Sequence, residues 1–218
     1  AKHELVTSFM AKWNADLPGC GGHLHQSLWN ADSSKNLFYD ESHPQKLSPL
    51  FENYIAGQLH CLPHILPFYA PTVNSYKRFV EGTWAATTVS WGVDNRTTAL
   101  RVINQKEQSM RLENRVPGAD ANPYLSIAAS LASGLYGIKN NLKLETPLTI
   151  GNEYANKNAT PLPSNLHKAT QAMKQSEIPA KLFGKDFVDH FSYVYAEEDR
   201  VVCSNSRMGM ATIQTTRI

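Results

Sequence analysis

Apolar residues in this chain repeat with two periods. Over residues 23–29 the period is two: His23, His25 and Ser27 share one face of an extended segment, and Leu24, Gln26 and Leu28 share the other. Residues 86–93, 99–103 and 110–115 read as three further strands, the first supported by the β-branched run Thr87-Thr88-Val89. Residues 5–11 read as a buried strand, entered from Lys2-His3-Glu4 as the tail of a helix. Residues 14–22 form a turn-rich loop punctuated by Pro18-Gly19, and residues 30–48 are polar and loop-like.

The second period is helical. Leu50, Tyr54, Ile55, Leu59 and Leu62 mark one face over 49–62, and Pro63, Pro67 and Pro71 predict its end. Asn122-Pro123 reads as an N-cap with proline at the first helical position. The helix that follows is rich in Ala and Ser, which predicts close packing on a sheet. From Thr146 the chain turns polar and proline-rich, with shorter helices over 165–175 and 185–194. No internal repeat is visible. Strands come first and helices later, which predicts an α+β fold over a doubly wound sheet.

The longest apolar stretch, 124–138, is interrupted by Ser126, Ser130, Ser133, Gly134 and Gly137 and is too short to span a bilayer, so no membrane partner is expected. The 218 residues are 42% hydrophobic and 18% charged, a globular balance. A net charge of +2 gives no reason to expect nucleic-acid binding. The positive charge is uneven, however: residues 74–115 hold seven Lys/Arg against four Asp/Glu. That excess fits either a solvated basic face or a site for a small anion, because arginine offers a rigid fork of donors. Three cysteines without metal-like spacing argue against a disulfide framework and for a reducing, cytoplasmic setting. Cys20, within Gly19-Cys20-Gly21-Gly22, reads as a small residue in a tight turn.

Three clusters carry candidate chemistry. His23 and His25, at i and i+2 on a strand, point to one side, where imidazoles bind a divalent metal or donate to phosphate; ordinary strand histidines share the pattern. In Arg111-Leu112-Glu113-Asn114-Arg115, period two puts both arginines and the glutamate on one face. That is either an ion-pair ladder or part of a metal and phosphate site. Arg96 and Arg101 face opposite sides of a regular strand, so aiming both at one anion requires a turn or bulge near Thr97-Thr98.

In order, these segments resemble those of the glutamine synthetase family. Gly19-Cys20-Gly21-Gly22-His23-Leu24-His25-Gln26-Ser27-Leu28 resembles its GxGxHxHxSL segment, and Asn74-Ser75-Tyr76-Lys77-Arg78 its NSYKR loop. Asn95-Arg96 with Arg101 resembles the NRxxxxR pair, Arg111 to Arg115 the RxExR strand, and Asn122-Pro123-Tyr124-Leu125 the NPYL helix start. The resemblance runs from residue 5 to about residue 191. It implies an antiparallel sheet, part of a glutamine-synthetase-type barrel, packed against helices. It also implies site roles. His23 and Glu113 would ligate Mg²⁺ or Mn²⁺. His25, Ser27, Arg96, Arg101 and Arg111 would hold ATP, and Gly19, Arg78, Trp84 and Arg115 the substrates. Arg96, Arg101 and Arg115 would act on the transferring phosphoryl group. The implied reaction is ATP-dependent joining of glutamate to ammonia or an amine through γ-glutamyl phosphate, in a full-length form that is a homo-oligomer.

Three departures qualify the resemblance. The family's amino-terminal part, with its other metal carboxylates, is not within these residues, so the fragment alone is expected to be inactive. Residues 1–194 read as the partial catalytic domain, and residues 195–218 as an atypical tail in which Arg200 to Asn205 lack clear periodicity. A truncated or shifted reading frame would account for both ends. Trp84 stands where ammonia-using members carry glutamate, and Pro18 where many carry asparagine, which leaves ammonia or an organic amine as acceptor. The alternative function is a non-catalytic homologue acting through assembly or ligand binding.

Overall fold

The structure, a computed structural model, describes residues 3–5 and 7–207. Its strands are β1 (Leu24–Gln26), β2 (Trp91–Val93), β3 (Leu100–Ile103) and β4 (Arg111–Asn114), in the sheet order β1-β4-β3-β2. β4 is antiparallel to both β1 and β3, as expected, whereas β2 runs parallel to β3. The link over residues 94–99 makes that reversal in very few residues. Asp94 takes a left-handed φ of 49°, Asn95 Oδ1 accepts from the Thr97 amide and hydroxyl, and Thr98 Oγ1 donates to Asn95 O. A turn thus stands at Thr97-Thr98, where one would be needed to aim Arg96 and Arg101 at one anion.

The helices are α1 (Pro49–Ile65), α2 (Pro123–Lys139), α3 (Leu166–Gln175), α4 (Ile178–Phe183) and α5 (Lys185–Arg207). Ser48 caps α1 through the Phe51 amide, Asn122 caps α2 and Asn165 caps α3. Pro63 does not end α1: Leu62 and Ile65 are buried in the core and hold the last turn in place. Alternation in the sheet sends Leu100, Val102 and Leu112 into a cluster with Phe38, Phe51, Tyr54 and Ile55. A second cluster joins the end of α1 to α3 and α5 through Ile65, Phe68, Leu166, Met173 and Tyr195.

Helix α2 packs chiefly on α1 rather than on the sheet, which it touches through Ser130, the acceptor of an Asn114 Nδ2 hydrogen bond. Small residues permit the approach. A Cβ on Gly137 would lie 2.0 Å from Asn53 O, and one on Gly57 would lie 2.3 Å from Ser133 O. The outer face of α2 exposes Tyr124, Ile127, Leu131 and Leu135.

Two local expectations change. The described part of 5–11 is not a strand: Leu5 and Phe9 are exposed, and the backbone of Lys12 pairs with the Asn74 side-chain amide. Val6 lies outside the described residues. The last helix continues through Tyr195 to Arg207, so Arg200 to Asn205 are helical, with Arg200 paired to Glu197. The rest of the tail, 208–218, lies outside the described residues.

Gly137→Val drives a branched side chain into backbone and is expected to cost about 3 kcal/mol or more. The same type of change at exposed Ala128 is expected to cost less than about 1 kcal/mol. Denaturant unfolding of both variants checks this, and equal losses would contradict the close α1–α2 contact.

Candidate active site

The site grows from the sheet face opposite the core. Register places His25 and Arg101 on either side of Glu113. Glu113 is only 3% exposed, so its charge must be met locally. Arg101 Nη1 donates to Oε2 at 2.9 Å, and Arg115 Nη1 donates to Oε1 at 2.8 Å. His23 Nδ1 lies 3.0 Å from Oε1, and His25 Nε2 lies 3.9 Å from it. Arg111 Nε donates to His25 Nδ1 at 3.0 Å, which puts the His25 proton on Nε2.

The electrostatics follow from these contacts. Burial alone would raise the Glu113 carboxyl. Hydrogen bonds from His23 and Arg101, with the charge of Arg115, outweigh it and bring the carboxyl down to about 2. Partial burial lowers His25 despite the pull of Glu113, and Arg111, His23 and Arg101 lower it further, keeping this imidazole neutral at neutral pH. Burial also lowers Arg115 against the opposing pull of Glu113.

A second group lies under the glycine-rich loop. Arg78 is buried and donates to Val116 O, and a Cβ on Gly19 would come within 2.7 Å of Arg78 Cγ. Burial lowers Arg78 to about 10, so it is still protonated at neutral pH. Its Nε and that of Arg101 are buried without a hydrogen-bond partner among the described residues. Such spare donors fit anionic ligands.

On the other side of Arg115, its Nε donates to Arg96 O and its Nη2 to Trp84 O. Trp84, at a φ of 60° and 61% exposed, borders a cleft of about 780 Å³ with Asp94, Arg96, Ile150 and Tyr154. His23, His25, Arg101, Arg111, Glu113 and Arg115 are thus joined in one network. Gly19 and Arg78 form its flank, and Arg96 and Trp84 the cleft. Ser27 stands apart, accepting a hydrogen bond from Trp29 Nε1.

Glu113 and His23 carry oxygen and nitrogen donors of the kinds that bind Mn²⁺, with Oε1 and Nδ1 3.0 Å apart, and both Glu113 oxygens already accept from Arg101 and Arg115. Among the described residues no group of three or more His, Cys, Asp or Glu is arranged to hold a metal. Sequence reasoning missed Asp94, for which the turn-favouring pair Asp94-Asn95 was the available clue, and the segment Leu148 to Tyr154. It also missed Glu153, a fully buried carboxylate that accepts from Thr88 and Thr149 and anchors that segment. Nothing in its polar surroundings marked it.

A family model described as the glutamine synthetase catalytic domain matches residues 1–208. The chain belongs to the glutamine synthetase family. It is 50% identical over 190 residues to type-1 glutamine synthetase 2 of Dictyostelium discoideum, covering 86% of this chain and 36% of that protein. It is 41% identical over 194 residues to glutamate–isopropylamine ligase of a Pseudomonas species, covering 88% of this chain and 42% of that one. A solved GmaS/ADP complex superposes with a TM-score of 0.81 at 34% identity, covering 93% of this chain and 47% of its own. The chain therefore spans less than half the length of these relatives. No helix among the described residues is long and apolar enough to cross a membrane.

A glutamine synthetase domain whose central carboxyl sits near 2 when folded, against 4.5 when free, gains stability above 4.5 and loses it as pH falls through about 2. Urea midpoints across that window are expected to fall steeply for the wild type. They should fall less for Glu113→Gln, which begins less stable at neutral pH. Parallel profiles would show that this network does not hold the Glu113 charge.

Proposed function

We propose that the native polypeptide carrying these residues is an ATP-dependent ligase that joins glutamate to a primary amine through γ-glutamyl phosphate. The observation that carries this reading is the buried Glu113 carboxylate shared by Arg101, Arg115 and His23. Moving a phosphoryl group from ATP to a carboxylate crowds anionic oxygens together, and fixed guanidiniums neutralise them without reorganising. Arg96, Arg101 and Arg111, with His25 and Ser27, serve the nucleotide. Arg78 and Arg115, beside Gly19, serve glutamate, and the spare Nε donors of Arg78 and Arg101 support both assignments. Mg²⁺ or Mn²⁺, when bound through Glu113 and His23 with further ligands, supplies charge stabilisation at the phosphates.

The full-length form is a cytoplasmic homo-oligomer in this reading, and the exposed stripe from Tyr124 to Leu135 is apolar surface suited to assembly. These 218 residues alone are inactive, because two ligands do not complete a catalytic metal site.

Trp84 selects the acceptor. An indole offers an apolar face and a cation–π surface but no carboxylate to bind ammonium and take its proton. A relative that is a glutamate–isopropylamine ligase supports the same reading. In the native polypeptide, kcat/KM is expected to favour alkyl or aryl amines over ammonium. Trp84→Glu is expected to move that preference toward ammonium by about tenfold or more, ~1.4 kcal/mol in the barrier. A wild type that prefers ammonium, or a preference unmoved by the substitution, would refute the assignment.

A further inference from the structure

The cleft beside Trp84 has a chemical composition that its neighbours in the Glu113 network lack. Its walls are mostly apolar, with Trp84, Val93, Leu148, Ile150 and Tyr154 on them, and Ile150 is 89% exposed at the rim. Asp94 is the one carboxylate among the lining residues. We propose that Asp94 binds the ammonium group of the acceptor amine in this cleft. The inference rests on the ligase reading, which already takes the acceptor to be a primary amine, and adds the residue that meets its charge.

Three observations carry it. The first is size: about 780 Å³ is far more than an ammonium ion fills and lies within the range of pockets that enclose organic ligands. The second is charge. Asp94 Oδ1 accepts from Arg101 Nη2 at 2.9 Å, and its other oxygen has no hydrogen bond among the described residues. A protonated amine entering an apolar cleft needs such an anion to offset the loss of water. Arg101 also donates to Glu113, so one guanidinium separates the ammonium position from the proposed phosphoryl-transfer centre. Arg96, the cation of the lining, leaves Asp94 as the group of the right sign.

The third is rigidity. The Thr149 amide donates to Trp91 O at 3.0 Å, and Asn95 Nδ2 donates to Gly151 O at 2.7 Å. The Glu153 amide donates to Thr97 Oγ1, and Tyr154 OH donates to Ala85 O at 2.8 Å. These bonds tie the 148–154 wall to the sheet edge and to the Trp84 turn, so the cleft is built before an amine arrives and little ordering entropy opposes binding.

The test compares nucleophiles of different charge in the native polypeptide. Isopropylamine and benzylamine are cations at neutral pH, whereas hydroxylamine is mostly uncharged. Asp94→Asn is expected to lower kcat/KM for the two amines at least tenfold more than for hydroxylamine, read as γ-glutamyl amide against γ-glutamyl hydroxamate. Ile150→Ser, at an exposed position that leaves folding intact, is expected to raise KM for benzylamine severalfold while sparing KM for glutamate. A wild type that forms no hydroxamate sinks the ligase reading and this inference with it. Hydroxamate formed by the wild type, with Asp94→Asn acting equally on charged and uncharged nucleophiles, overturns the role of Asp94 alone. An unmoved benzylamine KM in Ile150→Ser overturns the apolar subsite.

Discussion

A carboxylate with almost no access to water has to be answered by its neighbours, and at Glu113 the answer sets the geometry of the whole site. Left alone, burial would drive the group neutral. Arg101, Arg115 and His23 keep it ionised instead, and in doing so each of them is fixed in place. The two arginines then reach outward with their remaining donors: Arg101 to Asp94, and Arg115 to the backbone of Arg96 and Trp84. One buried charge therefore aligns Arg101, Arg115 and His23 and, through the two arginines, the segment from Asp94 to Arg96 and the Trp84 turn. Breaking such a hub leaves uncompensated charge, which is why its loss is expected to disturb more than a single contact.

The fold exists to hold that hub at the surface of a rigid layer. Strand alternation divides β3 and β4 cleanly, with Leu100, Val102 and Leu112 facing α1 and Arg101, Arg111 and Glu113 facing the site. The layer is stiff because α1 is itself braced by α2 at a distance only glycine and serine allow. The tight loop over 94–99 belongs to the same design. It makes β2 parallel to β3 and, in the same few residues, turns Asp94 and Arg96 toward the cleft.

Much of this was legible in the sequence where chemistry and periodicity coincided. Period two around Glu113 foretold a shared face, the capped start of α2 was marked by Asn122-Pro123, and the order of five motifs pointed to the glutamine synthetase family. What the sequence concealed depended on tertiary context. Residues 7–11 have the composition of a strand but no strand partner. Pro63 is tolerated because core packing outweighs one lost helical hydrogen bond. Glu153 and the wall from Leu148 to Tyr154 come next to the site only through hydrogen bonds between segments more than fifty residues apart.

In the proposed ligase, the charge of Glu113, rather than its shape, organises the ligand-binding surface. Calorimetric titration of ADP with Mn²⁺ into the native polypeptide and its Glu113→Gln variant tests it most directly, since the amide keeps the size of the side chain and removes the charge. A loss of affinity of about tenfold or more is predicted, with circular dichroism unchanged at neutral pH. Equal affinity in the two proteins would mean that the Glu113 charge does not organise that surface.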